Sequence, residues 1–150
     1  MSKTPTFMQV GNWFMGGLLH SPLHPLLSKN LLTITVTGRK TGHTYTTPIN
    51  YVQDGQHLYA TSQRERQWWR NLRGGAPAIL RWRGKDVTAQ GIVLEEEAAI
   101  RATLPRYLKI APDAAKWLGL RLDATGQAEA DDVARFVRER VILVFTLPGA

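Results

Sequence analysis

The sequence predicts an α+β domain built round a small barrel of six mostly antiparallel strands, and three observations lead there. Apolar and β-branched runs of strand length recur from Leu31 to Leu94 with turn residues between them. Beyond Leu94 the apolar spacing becomes helical, and a last β-branched run, 141–147, supplies a sixth strand. Hairpin-linked strands, with helices gathered at one end and before the last strand, close into a closed or split barrel more readily than into an open sheet. A barrel this small fills its interior with side chains, so a ligand has to sit on its outer wall, at a mouth or in a subunit interface.

The elements follow in order. Leu31 to Val36 reads as the first strand and Thr44 to Gln53 as the second, with Pro48 marking an edge or a bulge because it cannot donate to a ladder. Asp54-Gly55 is a hairpin turn, and 56–61 returns as the third strand. Gln67 to Leu72 reads as a helical turn ending near Gly74-Gly75. Ala78 to Arg83 and Asp86 to Leu94 then form a hairpin around Gly84-Lys85. Ile100, Leu104 and Leu108 recur every four residues, with a kink expected at Pro105. A short helix over Asp113 to Leu120 and another over Ala128 to Arg140 follow, the latter presenting Val133, Phe136 and Val137 on one face. Glu95-Glu96-Glu97 reads as a charged helix start favoured by the helix dipole.

At 150 residues the chain suits one domain, 1–150, divided into an N-terminal helix and loop (1–30), a barrel core (31–94) and helices with a final strand (95–147). Such a chain buries roughly two thirds of its unfolded surface. It has no cysteine, which excludes disulfides, thiolate nucleophiles and Cys-ligated metal centres and fits a reducing cytoplasm. Phe7 to Leu27 is apolar, but Gly16-Gly17, Pro22 and Pro25 interrupt it short of the ~20 residues a membrane span requires. Trp13, Phe14, Leu18 and Leu19 could still make peripheral membrane contact. His20 and His24 have metal-pair spacing, but the prolines break the helix that spacing would need, so no metal site is expected.

The most informative stretch is Thr37-Gly38-Arg39-Lys40-Thr41-Gly42, a turn between two strands. Its glycines free the backbone to approach a ligand, and its two cations stand beside backbone N–H groups, which suits an anion such as a phosphate. It is too short between its glycines for a Walker loop and lacks the following helix. Between Thr37 and Lys85 nine basic side chains face two acidic ones, so this segment carries the whole formal net charge of +7. The same run interleaves Arg64, Arg66, Arg70, Arg73, Arg81 and Arg83 with Trp68, Trp69 and Trp82, a pattern also found where small β-barrels bind single-stranded nucleic acid.

The order strand, TGRKTG, strand ending in TTPINY, Asp-Gly hairpin, LYATS, WWRNL and a second hairpin resembles the deazaflavin-dependent nitroreductase family. These are split-barrel F420H2-dependent reductases related to FMN-binding proteins. The resemblance covers Leu31 to Leu94 and implies a hydride transfer from reduced F420 to a quinone-like, nitro or activated-alkene acceptor, with FMN as the alternative cofactor. It implies that Gly38, Arg39, Lys40, Thr41 and Gly42 form the phosphate and acidic-tail turn, and that Thr47, Pro48 and Ile49 lie along the deazaflavin ring. Thr61 and Ser62 would end the strand under the ring, and Trp68, Trp69, Asn71 and Leu72 would form the turn that closes the site, with Trp68 on the ligand side. Where the family often has arginine this chain has Tyr45, so that contact is either missing or supplied by Arg64 or Arg66. Ser62, Tyr45 and Tyr107 are the candidate proton donors, Tyr107 falling where the family places substrate-facing tyrosines. A homodimer, a small-molecule hydride acceptor and no nucleic-acid partner complete the expectation.

Overall fold

The structure is a computed structural model that describes residues 31–149. The expected N-terminal helix and loop, with Trp13, Phe14, Leu18, Leu19, His20 and His24, lie outside the described residues. The strands are β1 (Leu31–Thr37), β2 (Thr44–Asp54), β3 (His57–Gln63), β4 (Ala76–Trp82), β5 (Lys85–Leu94) and β6 (Arg140–Thr146). They close into a barrel in the order β1-β2-β3-β6-β5-β4, and every neighbouring pair is antiparallel. A single 3-10 turn, Trp68–Leu72, joins β3 to β4, and three helices separate β5 from β6: α1 (Glu97–Ile110), α2 (Ala114–Leu118) and α3 (Ala130–Glu139).

Alternation along the strands builds two cores. Leu32, Ile34 and Val36 point inward from β1, and their register partners Ile49, Thr47 and Tyr45 share that face of β2. With Leu58, Ala60, Leu80, Leu143 and Phe145 they fill the barrel. The outer face of β2, β3 and β6 is covered by the helices, where Ile100, Leu104, Tyr107 and Leu108 of α1 and Phe136 and Val137 of α3 pack over Val52 and Ile142. The four-residue spacing of α1 produced that stripe, and the helix continues through Pro105. Two ion-pair groups tie the layer down. Arg106 grips Asp54 with both nitrogens at 3.0 and 2.9 Å, and Asp132 of α3 accepts the Arg121 amide at 2.9 Å and its Nε at 2.8 Å.

Asp132 is 2% exposed, and these donors hold its carboxyl well below the usual carboxylate range. A depressed folded pKa gives stability that is complete above the unfolded value of 3.8 and is lost as the pH falls below it. Asp132→Asn is therefore expected to lower Tm clearly at neutral pH and to differ less from the parent at about pH 2.5; thermal melts at both pH values check this.

The barrel leaves no room at one inward position. A Cβ on Gly91 would stand 2.9 Å from two ring carbons of Phe145 and 3.3 Å from Leu72. Because an aromatic ring cannot flex out of a packed interior, Gly91→Ala should destabilise the fold by about 1–3 kcal/mol in urea unfolding.

Pro48 sits inside β2 rather than at its end, opposite Thr33 of β1. It is tolerated because β2 pairs with β3 only from Tyr51 to Asp54, so among the described residues no strand pairs with the other edge of β2 at Pro48. The β4–β5 turn also falls one residue earlier than the sequence indicated. Trp82 pairs with Lys85, so Arg83-Gly84 is the two-residue loop, with φ of 52° and 80°.

Candidate cofactor groove

Beyond Tyr51 and Ala60, β2 and β3 part company, and β3 continues alongside β6 alone. Among the described residues the β2–β3 seam is therefore unpaired at the end where the β1–β2 turn and the segment after β3 meet. There a groove of about 610 Å³ is lined by Gly38, Arg39, Lys40, Thr41 and Tyr45 on one side and by Arg66, Gln67, Trp68, Arg70, Asn71 and Arg73 on the other. Among the described residues five that line it are cations and none is a carboxylate.

The β1–β2 turn is shaped by its own backbone. Gly38 donates to the His43 carbonyl at 2.6 Å, Gly42 donates to the Gly38 carbonyl at 2.8 Å, and His43 donates to Thr41 Oγ1 at 3.2 Å. Gly38 is needed because a Cβ there would lie 2.9 Å from the Tyr45 ring. Two bonds join the walls: Arg39 N donates to Asn71 Oδ1 at 3.1 Å, and Arg39 Nη2 donates to the Arg73 carbonyl. Asn71 Nδ2 in turn donates to the Trp68 carbonyl at 3.1 Å, so one amide side chain fixes both the 3-10 turn and the anion turn.

The paired tryptophans separate. Trp68 lines the groove. Trp69 is 2% exposed, donates its indole N–H to the Gln63 carbonyl at 3.3 Å, and carries the Arg70 and Arg73 guanidinium groups 5.6 and 5.3 Å from its ring centroid. Neither indole is available as an open stacking platform for nucleic-acid bases, since Trp68 is only 5% exposed.

Several candidate residues stand elsewhere. Thr47 and Ile49 point into the barrel, and Thr61 is on the outer face, where Arg140 Nη1 reaches its hydroxyl at 3.4 Å. Ser62 is buried and donates to the Gln63 carbonyl at 3.2 Å. Arg64 does not line the groove: its Nε donates to the Val137 carbonyl at 3.1 Å and its Nη2 to the Glu95 carbonyl at 2.6 Å, because the chain turns beside α3 as it leaves β3. Arg66, the other basic residue expected nearby, does line it. Tyr107 is fully buried under the helices with its ring 6.3 Å from that of Tyr59, and burial pushes its phenol strongly up, so it does not face the groove. Among the three candidate proton donors, Tyr45 alone lines it.

Glu95 was missed by the sequence reading. It is outside α1, which starts at Glu97, and holds Arg73 through both nitrogens, Nε to Oε2 at 2.7 Å and Nη2 to Oε1 at 2.8 Å. That bidentate hydrogen bond holds its carboxyl below the usual range. Glu97 instead meets Arg101 one turn on, at 2.7 Å. The signal that could have revealed Glu95 is its place one residue past the end of β5, beside a segment rich in arginine.

The sequence model of the F420H(2)-dependent quinone reductase family matches residues 20–113, and the chain belongs to that family. No curated protein matches the sequence. Among solved structures, the FAD and heme binding protein of Mycobacterium smegmatis is similar at 17% identity with a TM-score of 0.50, over 80% of this chain and 62% of that one. The general stress FMN/FAD binding protein of Xanthomonas citri is similar at 13% identity with a TM-score of 0.50, over 82% of this chain and 78% of that one. These likenesses establish the fold. The chain spans 62% of the length of the M. smegmatis protein. No helix among the described residues is long and apolar enough to cross a membrane.

Proposed function

We propose that the protein is an F420H2-dependent oxidoreductase that passes a hydride from reduced deazaflavin to a small quinone-like, nitro or activated-alkene acceptor. The observation that carries this is the groove wall, which among the described residues has five cations and no carboxylate, beside Trp68 and Tyr45. Among the described residues Arg39, Lys40, Arg66 and Arg70 have no acidic partner, so their charge is available to a phosphate and an oligoglutamate tail. The bound cofactor supplies the hydride, from its C5. The chain supplies position: Gly38 brings the turn backbone to the groove, the positive φ of Gly42 closes that turn, Asn71 fixes the opposing walls, and Trp68 forms part of the wall between them. Tyr45, which lines the groove, would give the proton to the reduced acceptor. The homodimer implied by the family resemblance is part of the same proposal, to be decided by sedimentation of the cofactor-loaded protein.

FMN would use the phosphate contacts but leave the remaining cations without a tail, so F420 should bind more tightly in side-by-side titrations. Salt separates both from nucleic acid. A protein that neutralises several phosphates of a strand loses orders of magnitude in affinity between low and moderate salt, whereas a cofactor held partly by stacking and backbone donors responds less steeply. Tight binding of a labelled oligonucleotide at physiological salt, with no binding of F420 or FMN, would overturn the proposal.

A further inference from the structure

We infer that Glu95, which does not line the groove, is a positioning residue for it: it holds the Arg73 guanidinium and, through the Arg73 backbone, sets Arg39 of the anion turn. The inference rests on the cofactor reading above for its binding consequence, but its geometry stands on the protein alone.

Four contacts make a continuous chain from the helical layer to the anion turn. Arg64 donates to the Val137 carbonyl of α3 and to the Glu95 carbonyl, which anchors the residue that follows β5. The Glu95 carboxylate takes two donors from Arg73 at 2.7 and 2.8 Å, a paired geometry that fixes orientation as well as distance. The same guanidinium lies over Trp69, 5.3 Å from its ring centroid, so it is held by a carboxylate and an aromatic face together. The Arg73 carbonyl then accepts from Arg39 Nη2, and Arg39 N donates to Asn71. Lys40 is in the same turn and takes no part in these bonds.

Removing Glu95 leaves Arg73 a flexible cation at the groove edge. Its carbonyl then no longer holds Arg39 in one orientation, and the ligand must order the wall as it binds. The structure thereby assigns different dependencies to two neighbouring cations: Arg39 acts through a wall that Glu95 organises, and Lys40 acts independently.

The test is a double-mutant cycle read by F420 affinity, with a parallel measurement on the free protein. Glu95→Ala is expected to weaken F420 binding about tenfold, and Glu95→Gln, which keeps an acceptor for one Arg73 donor, to recover part of that loss. In the Glu95→Ala background, Arg39→Ala should cost much less than it does in the parent, while Lys40→Ala should cost the same as in the parent. Full additivity of Glu95 with Arg39, or equal non-additivity with Lys40, overturns the inference, since a general loss of folding would couple to both. In the free protein, NMR should show the Arg73 Nε–H and Arg39 amide signals shifting and exchanging faster in Glu95→Ala; unchanged signals overturn it as well. If the parent binds no F420 while these signals do move, the cofactor reading fails and the positioning role of Glu95 stands.

Discussion

Truncating Trp69 to alanine is expected to cost about 3–5 kcal/mol of folding stability, while truncating Trp68 should chiefly reduce affinity for the deazaflavin cofactor. Both indoles are buried, at 2% and 5% exposure, so each variant loses some stability. The difference lies in what the ring faces. Trp69 packs into the barrel core and its N–H has a carbonyl partner, so Trp69→Ala leaves a cavity and two guanidinium groups without their aromatic face, while the Gln63 carbonyl keeps the Ser62 hydroxyl and the Arg66 amide as donors. Trp68 closes the core on one side and forms the groove wall on the other, so its loss widens the ligand site. Urea unfolding and F420 titration of both variants decide the matter. Equal loss of stability with unchanged affinity in both would reduce the pair to a core plug.

How much of this was legible in the sequence depended on whether the signal was local. Strand alternation, the Asp54-Gly55 turn and the four-residue stripe of α1 are set by backbone geometry within a few residues, and the structure has them within one or two positions. Pro48 was legible as an edge residue, although the edge arises because β3 leaves β2 and not because β2 ends. The groove was half legible. Gly38 to Thr41 and Trp68 to Asn71 meet across it, since each motif carries its own turn geometry. Arg64 and Glu95 were misread because each is defined by a partner distant in sequence. Arg64 looked like one more cation in a basic run, but it serves carbonyls 31 and 73 residues away. Glu95 looked like part of an acidic helix start, yet it faces Arg73 across 22 residues. Tyr107 shares one helix face with core leucines, and spacing alone does not separate a buried tyrosine from one that faces a ligand.

Lys40→Ala and Arg39→Ala are each expected to weaken F420 binding by about 1.5–3 kcal/mol, roughly ten- to a hundredfold, with secondary structure unchanged. Both cations stand in the β1–β2 turn, whose backbone is held by the Gly38 and Gly42 bonds and needs neither side chain, so circular dichroism should not move. The loss comes instead from charge-assisted hydrogen bonds to phosphate or tail carboxylates, which are about twice as strong as neutral ones. Their origins differ. Lys40 makes no side-chain bond among the described residues, so its removal takes away only what it gives the ligand. Arg39 also joins the groove walls through the Arg73 carbonyl, so its removal loosens the wall as well as deleting a charge. Raising salt should shrink the Lys40 effect more than the Arg39 effect, because screening acts on the exposed charge and leaves the wall contact in place. Isothermal titration of F420 at low and moderate salt with both single variants measures this, and unchanged affinity in both would remove the anion-binding role from the turn.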